Sequence, residues 1–160
     1  MLSYQKQSFR NRTDIYGSNG KLKLTIPINH SHNGIKTLEN EVLISQEINW
    51  QTLHWKSICY AYRSSPYFEF YEADFAPFYV KKTTKLFQVN LCLLKLIMDL
   101  VGSPMSYEII SSSDNKQERM DNLISTKIKS KKKFKNYIQV FENKHGFIPN
   151  LSIIDALFNL

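Results

Sequence analysis

Two incompatible periods alternate along this chain, and a sequence that carries both must build strands and helices together. Leu22, Leu24, Ile26 and Ile28 recur at every second position, between Lys21, Lys23 and Thr25. That is the period of a half-buried strand. Just before them, Ser18-Asn19-Gly20 supplies a turn, because Asn and Gly accept positive φ at low cost, and "TDIYGSNGKLKLTIPIN" reads as a hairpin. Pro27 removes a ladder donor, so the strand ends there or lies at an edge. "LENEVLIS", "MSYEIIS" and "YIQVF" give further strand patterns.

The second period is helical. In "SQEINWQTLHWKSICYAYRSSP", Trp50, Leu53, Trp55, Ile58, Ala61 and Tyr62 mark one broad apolar face, and Pro66 stops it. "YFEFYEADFAPFYVKK" reads as a short aromatic helix bracketed by loops. "TTKLFQVNLCLLKLIMDLVG" has the clearest pattern, with Thr83 or Thr84 as cap, Gly102 at the C′ position and Pro104 beyond it. A short helix is expected around Arg119 to Ile124. A last one, capped by Asn150 or Ser152, presents Leu151, Ile154, Leu157 and Phe158. This interleaving predicts an α/β fold, a mixed sheet flanked by helices. A single domain over residues 1–160 is expected, with 111–136 a polar, basic linker inside it.

At 160 residues and 42% hydrophobic, the chain can bury a core without disulfide or metal staples. Cys59 and Cys92 lie in apolar runs and read as small buried hydrophobes in a reducing compartment. "LFQVNLCLLKLIMDLV" is interrupted by Asn90, Lys95 and Asp99 and is shorter than the roughly 20 apolar residues of a membrane span. "MLSYQKQSFRNR" has no apolar leader core, so a cytoplasmic protein is expected. Much of the +7 charge sits in one lysine run, Lys127 to Lys135. A solvated linker and a nucleic-acid contact both fit such a run. Phe134 and Tyr137 are the aromatics near it, too few for the stacking platforms of single-strand binders, which argues against nucleic acid.

No GxGxxG, GxxxxGK[ST], CxxC, HExxH or GxSxG occurs, so neither a nucleotide loop, a metal cluster nor a serine elbow is indicated, and no cofactor is expected. His30 and His32 share a face in an extended loop but lack visible further ligands. The candidates are polar residues in aromatic surroundings. Arg10 and Arg12 flank Asn11 just before a strand, where two guanidiniums on one face suit a phosphate or carboxylate; surface ion pairing is the alternative. His54, beside Trp55 and one turn after Trp50, has the chemistry of a general acid or base, or of a satisfied histidine at the core margin. Asp155 complements the dipole of the last helix and could also orient a histidine or arginine. Tyr137 and Gln139, two apart in "YIQVF", point the same way, either lining a pocket or pairing across a sheet.

"YQKQSFRNR", "LTIPI", "HWKSICYAYRSSPYFEFY", the Tyr137-x-Gln139 pair and "GFIPNLSIIDALFN" occur in that order. Together they resemble the WbqC-like family of bacterial proteins, in its compact Bacteroidetes-type form, over Tyr4 to Asn159. The resemblance implies a link to lipopolysaccharide O-antigen and other surface-polysaccharide biosynthesis, with group transfer on a sugar or nucleotide sugar. It carries roles onto Asn11, Arg12, His54, Trp55, Tyr62, Tyr137, Gln139 and Asp155. The catalytic pair would be His54 as acid/base with Asp155 as orienter, and Arg10 and Arg12 would hold an anionic small molecule. Two departures stand out: the family's opening pattern, "QPNYxPWxGYF", is missing before "RNR", and Leu160 stands where glycine usually follows "LFN". A domain incomplete at its N-terminus is therefore expected, with a sheet edge exposed to homodimerisation. The alternatives are a non-catalytic remnant or a basic nucleic-acid-binding module using Lys127 to Lys135.

Overall fold

The computed structural model describes residues 3–29, 37–103, 106–109, 121–126 and 133–160. The fold is α/β, a hairpin with five α-helices among the described residues. The chain packs into two compact units, each gathered from three stretches. One comprises Met1–Asn11, Ile26–Ile48 and Thr83–Ile128, the other Arg12–Thr25, Asn49–Lys82 and Lys129–Leu160.

The hairpin belongs to the second unit. Strands β1 (Arg12–Gly17) and β2 (Gly20–Thr25) run antiparallel, with Arg12 opposite Thr25, Asp14 opposite Lys23 and Tyr16 opposite Lys21. Gly20 takes the left-handed backbone at φ 93° that the turn requires, a conformation an L side chain adopts at a cost. Ile15 and Leu24 are buried, while Leu22 is exposed at 39%. β2 stops before Pro27, as its missing donor demands.

Helix α1 (Trp50–Tyr62) begins at Asn49, whose side chain accepts the Thr52 N–H at 3.2 Å. It buries Trp50, Ile58, Ala61 and Tyr62 as its period predicts. Leu53 is 55% exposed, and Gln51 is buried in its place, donating through Nε2 to the Lys81 carbonyl at 2.6 Å. Helix α2 (Phe68–Val80) is longer than its sequence suggested and carries Pro77 inside it. Phe68 and Phe75 from α2 meet Phe158 edge-on, at ring distances of 5.3 and 5.6 Å. Phe158 sits on α5 (Ile153–Asn159), and Tyr62 from α1 closes the same cluster at 5.2 Å. Such T-shaped pairs contribute roughly 0.5–1.5 kcal/mol each beyond area burial. The segment 133–139 runs without a ladder and leads into α4 (Glu142–His145).

In the first unit, α3 (Leu86–Leu100) buries Leu86 and Val89 and ends at Val101, with Gly102 at φ 70° in the expected C′ place. Neither threonine caps it. Lys85 is its N-cap, and the Thr84 carbonyl accepts the Ile44 N–H at 2.8 Å instead. The expected strand at "LENEVLIS" is a 3₁₀ turn, Glu39–Glu41, followed by isolated bridges pairing Ile28 with Ile44 and Leu43 with Lys85. The short helix foreseen near Arg119–Ile124 is a 3₁₀ turn at Asp121–Ile124. Cys59 is half-buried and Cys92 exposed, so the reading of both as buried hydrophobes fails, for Cys92 outright. The strand expected at 105–111 is not formed where it is described, at 106–109, while most of the linker 111–136 lies outside the described residues, as do His30 and His32.

Candidate functional site

Asp155 is 0% exposed in the first turn of α5. A carboxylate so placed needs donors, since burying a bare charge is costly. It has three. The Tyr62 hydroxyl donates to Oδ1 at 2.7 Å, and Tyr137 and Gln139 Nε2 donate to Oδ2 at 2.6 and 2.8 Å. Tyr62 in turn accepts the Tyr16 N–H at 3.0 Å, from the edge of β1. The Tyr16 hydroxyl extends the chain outward, to the carbonyls of Gly146 at 2.6 Å and Phe141 at 3.1 Å. Gly146 takes φ 72°, ψ −178°, a backbone open to glycine.

The predicted group of Tyr62, Tyr137, Gln139 and Asp155 is therefore brought together, within the second unit. The expectation that Asp155 orients a histidine or arginine is not met: its side chain is filled by two phenols and an amide. Tyr137 and Gln139 do point the same way, but not from a strand. Gln139 explains why the expected ladder is missing: its Oε1 accepts the Ile148 N–H at 2.8 Å and its Nε2 donates to the Ile148 carbonyl at 3.0 Å. The side-chain amide takes the place of a neighbouring peptide group. Burial, reinforced by the Asp155 charge, holds the Tyr62 phenol well above its ordinary value of 10.0. Burial and the Asp155 hydrogen bond do the same to Tyr137, and burial with the Asp155 and Glu142 charges to Tyr16. All three remain protonated donors at physiological pH.

His54 lies elsewhere on α1. Its ring meets the edge of Trp50 at 5.2 Å, and Nε2 is 3.1 Å from the Thr25 carbonyl. A carbonyl only accepts, so Nε2 carries the proton and Nδ1 is the basic nitrogen of the neutral ring. Burial lowers its pKa from 6.5, against the raising effect of the Thr25 bond. Thr25 is the register partner of Arg12. Arg12 is half-buried, and its Nε is shielded without a hydrogen-bond partner. Trp50 Nε1 is buried and unpartnered as well. Trp55 has its ring stacked on Tyr79 at 5.3 Å and Phe68 at 6.3 Å, which makes it part of the aromatic packing.

The two remaining candidates lie in the first unit. Arg10 Nε is 2.7 Å from Glu39 Oε1, the ion-pairing alternative to an anion clamp. Asn11 is 5% exposed, donates from Nδ2 to the Ile26 carbonyl at 3.0 Å, and clips two chain segments together. Of the lysine run, Lys133 and Lys135 are described and exposed. Among the described residues no group of three or more His, Cys, Asp or Glu could hold a metal ion. None of the described helices is long and apolar enough to cross a membrane.

Sequence reasoning missed two residues. Asp14 shares the strand face of Arg12 two positions on, and its Oδ2 lies 3.3 Å from Lys21 Nζ. Tyr16 anchors the buried network. Both lie in "RTDIY", read as the first arm of the hairpin and not for the polar groups along its face.

The model of the WbqC-like protein family matches residues 1–139. An uncharacterised protein of Mycobacterium tuberculosis, Rv1507c, is 27% identical over 194 aligned positions, which cover 99% of this chain and 80% of the relative. No solved structure gives a significant match. The family match takes in the hairpin, helices α1 to α3 and the Tyr137–Gln139 arm of the buried network, and the chain belongs to the WbqC-like protein family.

Proposed function

We propose that this protein acts on a sugar or nucleotide sugar in the biosynthesis of lipopolysaccharide O-antigen or a related surface polysaccharide, as a group-transfer enzyme. His54 serves as the acid/base and Arg12 as the substrate contact. The observation that carries this reading is their common anchor. Thr25 pairs with Arg12 across the hairpin, and its carbonyl fixes the His54 tautomer with Nδ1 as the basic nitrogen. The lowered pKa keeps the imidazole neutral at pH 7, so that Nδ1 is unprotonated as a general base must be. Asp155, with Tyr62, Tyr137 and Gln139, is assigned here to holding the second unit together.

The test is a panel of nucleotide sugars titrated against wild type, Arg12→Ala and His54→Gln. Arg12→Ala is expected to weaken binding about tenfold or more, the loss of a charged hydrogen-bonding group. His54→Gln is expected to bind as wild type does while turnover falls on the order of a hundredfold. No binding by wild type, or equal binding by wild type and Arg12→Ala, refutes the assignment.

A further inference from the structure

Two buried polar atoms on one face of the hairpin have no partner. Arg12 Nε and Asp14 Oδ1 are both shielded from solvent, and neither makes a hydrogen bond. Leaving such an atom unsatisfied costs on the order of 1–3 kcal/mol. One is a donor and the other an acceptor, and positions i and i+2 of a strand share a face. The two side chains do not close on each other. Asp14 gives its second oxygen, Oδ2, to Lys21 Nζ at 3.3 Å, and its side chain is 12% exposed. Across the hairpin, Lys23 stands opposite Asp14 with its side chain in solvent, and Thr25 stands opposite Arg12.

A phosphate or carboxylate has only acceptors. It would satisfy Arg12 and be repelled by Asp14. A hydroxyl donates and accepts, so a pair of neighbouring hydroxyls answers both atoms at once. We propose that Arg12 and Asp14 form a sugar-binding site that holds ring hydroxyls, with Asp14 as the acceptor half. This rests on the sugar-substrate reading above and adds to it which part of the substrate meets Arg12: the sugar ring and not a phosphate. Asp14 is then a specificity-determining residue, selecting a sugar with a free hydroxyl at the position it faces.

The sign of one substitution separates the two ligand chemistries. Removing the Asp14 charge weakens a hydroxyl ligand and strengthens an anion. Binding of D-glucose, D-galactose, D-mannose, N-acetylglucosamine and inorganic pyrophosphate is followed by NMR on the full chain. Wild type is compared with Asp14→Asn, Lys21→Gln and His54→Gln. At least one sugar is expected to shift the Arg12 Nε–H signal. Asp14→Asn is expected to weaken that sugar about tenfold and to leave pyrophosphate unchanged or tighter. Lys21→Gln, which breaks the ion pair and keeps the Asp14 acceptor, should stay within about threefold of wild type. The inference is overturned if no sugar binds wild type, if Asp14→Asn binds the sugar undiminished, or if Lys21→Gln is as weak as Asp14→Asn. His54→Gln keeps Arg12 and Asp14 and gives up the bond to the Thr25 carbonyl, so it should still bind the same sugar. Sugar binding by wild type that Asp14→Asn weakens, with no group transfer by wild type, would sink the catalytic reading and still uphold the hydroxyl site.

Discussion

Replacing Asp155 by alanine removes the acceptor that three side chains share, and the cost can be built from the structure. The Tyr62 hydroxyl loses its Asp155 acceptor in a fully buried site, worth roughly 1–3 kcal/mol. Tyr137 is part-buried, so its hydroxyl recovers some solvation and the loss is nearer about 1 kcal/mol. Gln139 keeps both of its bonds to Ile148, and its share is about 0.5 kcal/mol. Deleting a buried charge returns part of its desolvation cost, which leaves a net loss of about 3 kcal/mol. With a urea slope near 2 kcal/mol/M for a protein of this size, the midpoint falls by about 1.5 M. Far-UV circular dichroism across a urea gradient reads this directly. Asp155→Asn keeps one acceptor oxygen and should cost about half as much. The hydrogen-bond account makes a sharper claim in a double-mutant cycle with Tyr62→Phe. Once the hydroxyl is gone, Asp155→Ala should cost about 1–2 kcal/mol less than in wild type. Additive losses in that cycle, or an Asp155→Ala midpoint within about 0.3 M of wild type, would refute the reasoning.

Other expectations follow from the same geometry. Because burial lowers the His54 pKa below 6.5, the unfolded chain binds a proton there that the fold refuses. Stability therefore falls as pH drops through the window below about 6.5, and His54→Gln should flatten that part of a midpoint-versus-pH curve. Tyr62 has the opposite sense: its folded pKa lies above the ordinary 10.0, so stability falls as pH rises beyond about 10, and Tyr62→Phe should reduce that slope in the same assay. Gly20→Ala meets nothing within 4 Å at its added Cβ, so its penalty is conformational only, about 1 kcal/mol by urea unfolding.

The elements legible in the sequence were those whose signals are local. The hairpin declared itself through Ser18-Asn19-Gly20 and the alternation of β2, and α1 through its apolar stripe and Pro66. The C′ glycine of α3 was in its place too. The errors came where a backbone group found a distant partner. Thr84 was read as a cap, but its carbonyl is engaged by Ile44. "YIQVF" has strand composition, yet the Gln139 side chain does the pairing that a neighbouring strand would have done. At the site, Tyr62, Tyr137, Gln139 and Asp155 were named from the sequence, but their mutual arrangement was not. No one-dimensional pattern distinguishes a carboxylate facing a histidine from one facing two phenols 18 and 93 positions away. Asp14 went unnoticed for a simpler reason: beside an arginine on an exposed-looking strand, a charge reads as surface.

The aromatic cluster around Phe158 sets the order in which this protein can be made. Tyr62, Phe68, Tyr71 and Phe75 all rest on a ring that the ribosome adds more than eighty residues after the last of them has been added. Until then Tyr62, Phe68, Tyr71 and Phe75 lack the ring they close on, and Tyr62 has no carboxylate to meet. Long-range contacts of this kind form late. A nascent chain is accordingly held in an open, sticky state through most of its synthesis, and its second unit closes only after Phe158 has been released from the exit tunnel. Stalled or prematurely terminated chains would expose that aromatic surface permanently, which makes them natural clients for chaperones and proteases.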